Sequence, residues 1–173
     1  MPGLTIADVR VVVTEENVAD HARTQIRTAA SAALTAALVP GTVRGVHPGR
    51  VHPFQAEDLP AVSVFTRGEA VRDLDVMGGG AHHRELELVV EIRAKADSEA
   101  TPDLLTVLDT VALEAERALY GDATLNGLLK ELDVVTTTTE LEGEGTEKPV
   151  GLETVVWRCV YRCDPADPST LVA

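Results

Sequence analysis

The side chains able to do chemistry are few and thinly spread. Cys159 and Cys163 are the only cysteines, four apart in a stretch that reads as an extended strand. Four residues of strand span about 13 Å, and a disulfide needs its Cα atoms within roughly 7 Å, so the sequence predicts two free thiols and, with them, a reducing compartment. His47 and His52 flank a Pro/Gly segment, and His82 and His83 follow Gly78-Gly79-Gly80. A zinc site needs more ligands at closer spacing. No C-x-x-C or H-E-x-x-H accompanies these residues, and no metal site is expected.

The remaining candidates read as structure. Residues 121–127 (GDATLNG) resemble a phosphate loop only superficially: they lack the Lys-Ser/Thr pair and follow a helical pattern, so a turn is expected. Glu85, Glu87 and Glu91 share one face of an alternating run, as paired carboxylates for acid–base work would. Arg93 and Lys95 continue the same row, which fits a solvated strand face. Ser63 has no neighbouring base, and no G-x-S-x-G, P-loop or G-x-G-x-x-G occurs. The expectation is no catalytic residue, no cofactor and no enzyme.

Composition narrows the class further. With 173 residues, 45% of them hydrophobic and 25% charged, the chain is in the ordinary globular range and is expected to form a single domain over residues 1–173. No apolar run approaches the roughly 20 residues of a membrane-spanning helix, and no secretory signal is visible at the start. A net charge of −13 argues against a protein whose main work is gripping nucleic acid phosphates.

The elements that must position these residues follow from periodicity. After an N-terminal extension over residues 1–13, Thr14 with Glu15 and Glu16 marks a helix start. Ala22, Ile26, Ala29, Ala30, Ala33, Leu34, Ala37 and Leu38 keep helical spacing until Pro40-Gly41. Residues 43–51 hold at most a short strand, and residues 61–66 (AVSVFT) read as another. In residues 84–96, Leu86, Leu88, Val90, Ile92 and Ala94 alternate with Glu85, Glu87, Glu91 and Arg93, the clearest strand in the chain. Pro102 opens a second helix whose stripe is Leu104, Leu108, Val111, Ala115 and Leu119. Residues 133–141 and 152–162 form a closing hairpin, the latter with Val155, Trp157, Cys159 and Tyr161 on one face. Residues 164–173 are expected to fray. The predicted fold is α+β, a mainly antiparallel sheet with two helices packed on one face. Leu88, Val90 and Ile92 are expected beneath Leu104, Leu108 and Val111.

Between two of these strands, residues 68–83 lack a pattern and read as a mobile excursion. Arg72, Asp73, Asp75, Met77, Gly78, Gly79, Gly80, His82 and His83 make it the candidate interface loop, because long loops in compact domains are commonly functional. The expectation is that it orders when it meets a partner surface.

Taken together, the segment orders are informative. An Ala-rich helix is followed by LPAVSVF at residues 59–65, then the long alternating strand from Arg84. A Leu-rich helix ending Leu119-Tyr120-Gly121-Asp122 comes next, then Thr124-Leu125-Asn126-Gly127-Leu128 and two closing strands with Tyr161. Over residues 18–162 this resembles the tail-terminator proteins of long-tailed phages, the minor tail protein U group. It is also similar to the tail-completion and head–tail joining proteins of the same fold. The N-terminal extension and the enlarged 68–83 segment depart from that pattern. The resemblance implies a non-enzymatic virion protein, assembled in the host cytoplasm, that sits as a hexameric ring on the tail tube and stops its polymerisation. Its partners would be further copies of itself, the major tail protein and a head–tail connector protein, with DNA passing through the lumen unbound and no membrane involved. The alternatives are a connector or stopper of the neck and, from a different class, a small α+β enzyme or ligand-binding module.

Overall fold

The computed structural model describes residues 20–39, 41–49, 54–73, 80–95, 103–142 and 149–172. Helix α1 (Ala22–Leu38) leads to a short strand β1 (Gly45–Pro48) and a single 3-10 turn (Ala56–Asp58). The long hairpin β2 (Ala61–Asp73) and β3 (His82–Lys95) follows, then helix α2 (Leu104–Tyr120) and the hairpin β4 (Glu131–Glu142) and β5 (Val150–Cys163). The fold is α+β: one five-stranded sheet in the order β1-β2-β3-β5-β4, antiparallel except for the β1–β2 pair, with both helices on one face.

The core forms where the sheet row meets the two helical stripes. Leu86, Leu88, Val90, Ile92 and Ala94 of β3 and Val155, Trp157, Cys159 and Tyr161 of β5 are buried in one cluster with Leu104, Leu108, Val111, Ala115 and Leu119 of α2. The predicted packing of the β3 row against α2 is therefore present. α2 lies directly over Gly151, where an added Cβ would be 2.7 Å from Leu108 Cδ1 and 3.2 Å from Leu104 Cδ2. α1 buries Ala22, Ile26, Ala30, Leu34 and Leu38 over β1 and β2, and its alanines permit the short approach to α2. Thr42 Oγ1, just past α1, donates to Glu114 of α2 and ties the two together.

Three expectations need correction. First, α1 begins at Ala22: Thr14, Glu15 and Glu16 lie outside the described residues, Asp20 and His21 are not helical, and His21 is the N-cap, its Nδ1 accepting from Arg23 N. The reason is distant in sequence. The carbonyl of Pro168 accepts from Ala22 N, and that of Ser169 accepts from Gln25 Nε2, so the C-terminal segment satisfies donors of the first turn. Second, that segment is not frayed over residues 164–172: Leu171 bridges Cys163 and Val172 N donates to Arg162 O. Third, β2 does not stop at Thr66. Arg67 and Gly68 together oppose Glu87, a β-bulge, and pairing resumes at Glu69↔Leu86 through Asp73↔His82.

The GDATLNG segment is a turn, as expected. Asp122 accepts from Thr124 N, Thr124 Oγ1 and Asn126 N. Leu125, Asn126 and Gly127 follow with φ of 45°, 61° and 82°. This left-handed stretch suits Asn and Gly and drops Leu125 and Leu129 into the core.

Candidate assembly surface

The candidate loop is much shorter than its sequence implies. Arg72 and Asp73 belong to β2, His82 and His83 to β3, and they pair as Arg72↔His83 and Asp73↔His82. Gly80 is exposed just ahead of β3, whereas Asp75, Met77, Gly78 and Gly79 lie outside the described residues. Arg72 makes an exposed ion pair with Glu85 at 3.2 Å. The mixed charges that looked like loop chemistry are thus partly a cross-strand ladder.

That ladder covers the sheet face opposite the helices. Arg67 pairs with Glu87 at 2.9 Å, and Arg158 with Asp133 at 2.7 Å and Glu131 at 3.2 Å. The bulge in β2 lines up across the sheet with a second in β4, where Val135 is the extra residue. Between them is an open depression of about 360 Å3 walled by Gly68, Ala70, Glu85, Glu87, Val135 and Arg158. Its carboxylates already have guanidinium partners, which is the arrangement of a structural face; Glu85 and Glu87 are not a poised acid–base pair.

On the helix face, the β2–β3 end of the sheet holds a buried polar cluster that the sequence did not reveal. Glu69 and Arg84 form a 2.8 Å ion pair with both side chains only 11% exposed, and the Tyr161 hydroxyl donates to the other oxygen of Glu69. Burial, reinforced by the bond to Glu69, raises the Tyr161 pKa. The two thiols are free and buried; burial pushes Cys159 up to about 12 and raises Cys163 as well. Both are therefore protonated at neutral pH and poor nucleophiles. Among the described residues no group of three or more His, Cys, Asp or Glu could hold a metal, and no helix is long and apolar enough to cross a membrane.

The two long hairpins are joined at opposite ends of the sheet. β3 and β5 are antiparallel, with His82↔Cys163 at one end of the sheet and Lys95↔Val150 at the other. The β2–β3 connection leaves beside the first pair and the β4–β5 connection beside the second. The class that these features define is a two-layer α+β protein whose hairpins turn at opposite ends of one sheet. No protein-family model and no curated protein matches the sequence. Among solved structures, the chain is similar to one in a structure described as the virion of a native gene transfer agent particle. The two are 18% identical, the match covers 82% of this chain and 92% of that one, and the TM-score is 0.45.

Proposed function

We propose that this chain is a structural protein of a phage-type virion, a tail terminator that closes the end of the tail tube as a hexameric ring. The carrying observation is that the elements come in the order of the tail-terminator resemblance, with hairpins turning at opposite ends of the sheet. A ring of such subunits presents one set of hairpins to the tube below and another to the head-side connector above. The reading is of a non-enzymatic protein without a cofactor, whose partners are its own copies, the major tail protein and the connector.

Size is compatible with this role. A chain of this length has a radius of gyration of about 16 Å and forms a globule roughly 40 Å across. Six in contact leave a hole of about the same width, enough for a DNA duplex. The net charge of −13 then has a use, since a negative lumen repels phosphates and lets a duplex pass unbound. A head–tail connector is the second reading, and the partner separates the two: a terminator binds the major tail protein, a connector the portal-side ring.

The experiment is to add the purified chain to growing tail tubes and measure tube length and end structure by electron microscopy. Rings of six at one end, with growth arrested, are expected. Replacing residues 74–79 with a short Gly/Ser connection should leave the fold and Tm intact and abolish the arrest. Tubes that grow on unchanged in the presence of the intact chain refute the terminator reading.

A further inference from the structure

Among the described residues two helices cover the five-stranded sheet, and the part they leave open is at one edge. α2 packs on β3 and β5, and past the bulge the helix-side row of β4, Thr137, Thr139 and Leu141, is exposed. The flank of α2 toward β4 is fixed by Tyr120, whose hydroxyl accepts from Val134 N. At 100° per residue, Asp109, Leu113 and Glu116 fall on that same flank. Leu113 and Tyr120 are each 48% exposed and Leu141 46%. The result is a ledge with an apolar lip.

At the floor of this ledge lies Glu153, on the core row of β5 between Ile92 of β3 and Thr139 of β4. It is only 4% exposed, and its Oε2 has no hydrogen-bond partner among the described residues. Burial raises its pKa, and the carboxylates facing it from α2, Asp109 and Glu116, raise it further. Its neighbours on β3 and β4 carry no charge. A buried carboxylate is costly without a counter-ion; among the described residues Glu153 has none, and two more acids face it.

The opposite edge of the molecule has the complementary character. α1 lies over β1 and β2 and carries two charged residues, Arg23 and Arg27, and no acid. Neither is ion-paired among the described residues; Arg23 only donates to His21. At 100° per residue Arg23 and Arg27 share one flank of α1, and the exposed Ala32 and Ala36 lie on the other. By contrast, the ledge carries Asp109, Glu116 and Glu153; the four acids of β4 alternate with its helix-side row and belong to the far face of the sheet, where Glu131 and Asp133 pair with Arg158. Glu57 and Asp58 lie in the 3-10 turn that leads into β2, so the positive charge of this edge is confined to α1.

We propose that copies of this chain associate head to tail, with α1 of one copy seated on the α2–β4 ledge of the next and its arginines supplying the counter-ion of the Asp109–Glu116–Glu153 cluster. This rests on the ring reading above and specifies its subunit joint. A contact between different surfaces of identical subunits closes into a ring if the rotation permits. Self-pairing of two ledges is disfavoured because acid would face acid.

The test is sedimentation equilibrium of the full chain up to about 1 mM. Arg23→Glu/Arg27→Glu and, separately, Glu116→Arg should each weaken association by at least about tenfold. Mixed together, these two variants should regain association, because the intact α1 of one meets the intact ledge of the other and the two charge-reversed surfaces also attract. Glu153→Gln should raise the Tm of the isolated subunit yet weaken association, a split that a purely structural burial would not produce. A wild-type chain that stays monomeric at this concentration overturns the proposal, as does association that none of the variants alters. In the second case rings on tail tubes would still form, so the joint fails while the terminator reading stands.

Discussion

The packing at Gly151 gives a prediction with internal compensation. Leu108 is fully buried on α2, and its Cδ1 occupies the space an alanine Cβ at 151 would need, 2.7 Å away. Leu108→Ala removes three buried carbons. At about 0.8 kcal/mol each, the lost transfer energy is about 2.4 kcal/mol, and the residual cavity brings the cost into the range of about 2–5 kcal/mol. For a chain of this size that is a fall in Tm on the order of 4–20 °C. Gly151→Ala alone inserts a methyl where no room exists and should cost about 1–3 kcal/mol. Combined, the new methyl enters the vacated volume, so the double variant should be more stable than the sum of the singles by about 0.5–3 kcal/mol. Urea denaturation of the four proteins, with the m-value checked for constancy, measures this coupling. Strict additivity would mean that α2 does not sit on β5 at Gly151. A loss below about 0.5 kcal/mol for Leu108→Ala would show that the stripe itself is misassigned.

Three further outcomes follow from the buried polar groups. Because the Glu153 pKa is raised in the folded chain, the fold binds this proton more tightly than the unfolded chain does. Its contribution is therefore unfavourable once pH rises from the ordinary glutamate value through the raised one. Denaturation across that window should show Glu153→Gln equal to wild type at low pH and more stable at neutral pH; a constant difference would place Glu153 in solvent. Tyr161→Phe removes the hydroxyl that donates to Glu69 and should cost about 1.5–3 kcal/mol, read from the same denaturation curves; an unchanged midpoint would show that the bond does not hold the β2–β3 end. Cys159 and Cys163 should resist a thiol reagent in the native protein and both react after unfolding without reductant, since they are buried and unpaired; recovery of an intramolecular disulfide would contradict the strand that separates them.

Much of the scaffold was legible in the amino-acid order because burial leaves a local signature. The alternation from Leu86 to Ala94 and the stripe Leu104, Leu108, Val111, Ala115 and Leu119 each require only that one face meet a core, and both faces are buried. Asp122 and the Asn126-Gly127 pair likewise encode their turn within a few residues. What depended on partners distant in the chain was not legible. Gly68 looked like the start of a loop, yet β2 runs on because a bulge absorbs it and Glu69 finds Arg84 and Tyr161 across the sheet. The start of α1 is set by carbonyls of Pro168 and Ser169, the latter 144 residues from the side chain it holds. Glu153 occupies the same row as Val155 and Trp157, and only the placement of α2 above β5 turns it from a polar residue at a strand start into a buried carboxylate. Hydrophobic periodicity acts along the chain and can be read there. Counter-ions, caps and uncovered faces are set by which elements meet, and only the tertiary structure decides that.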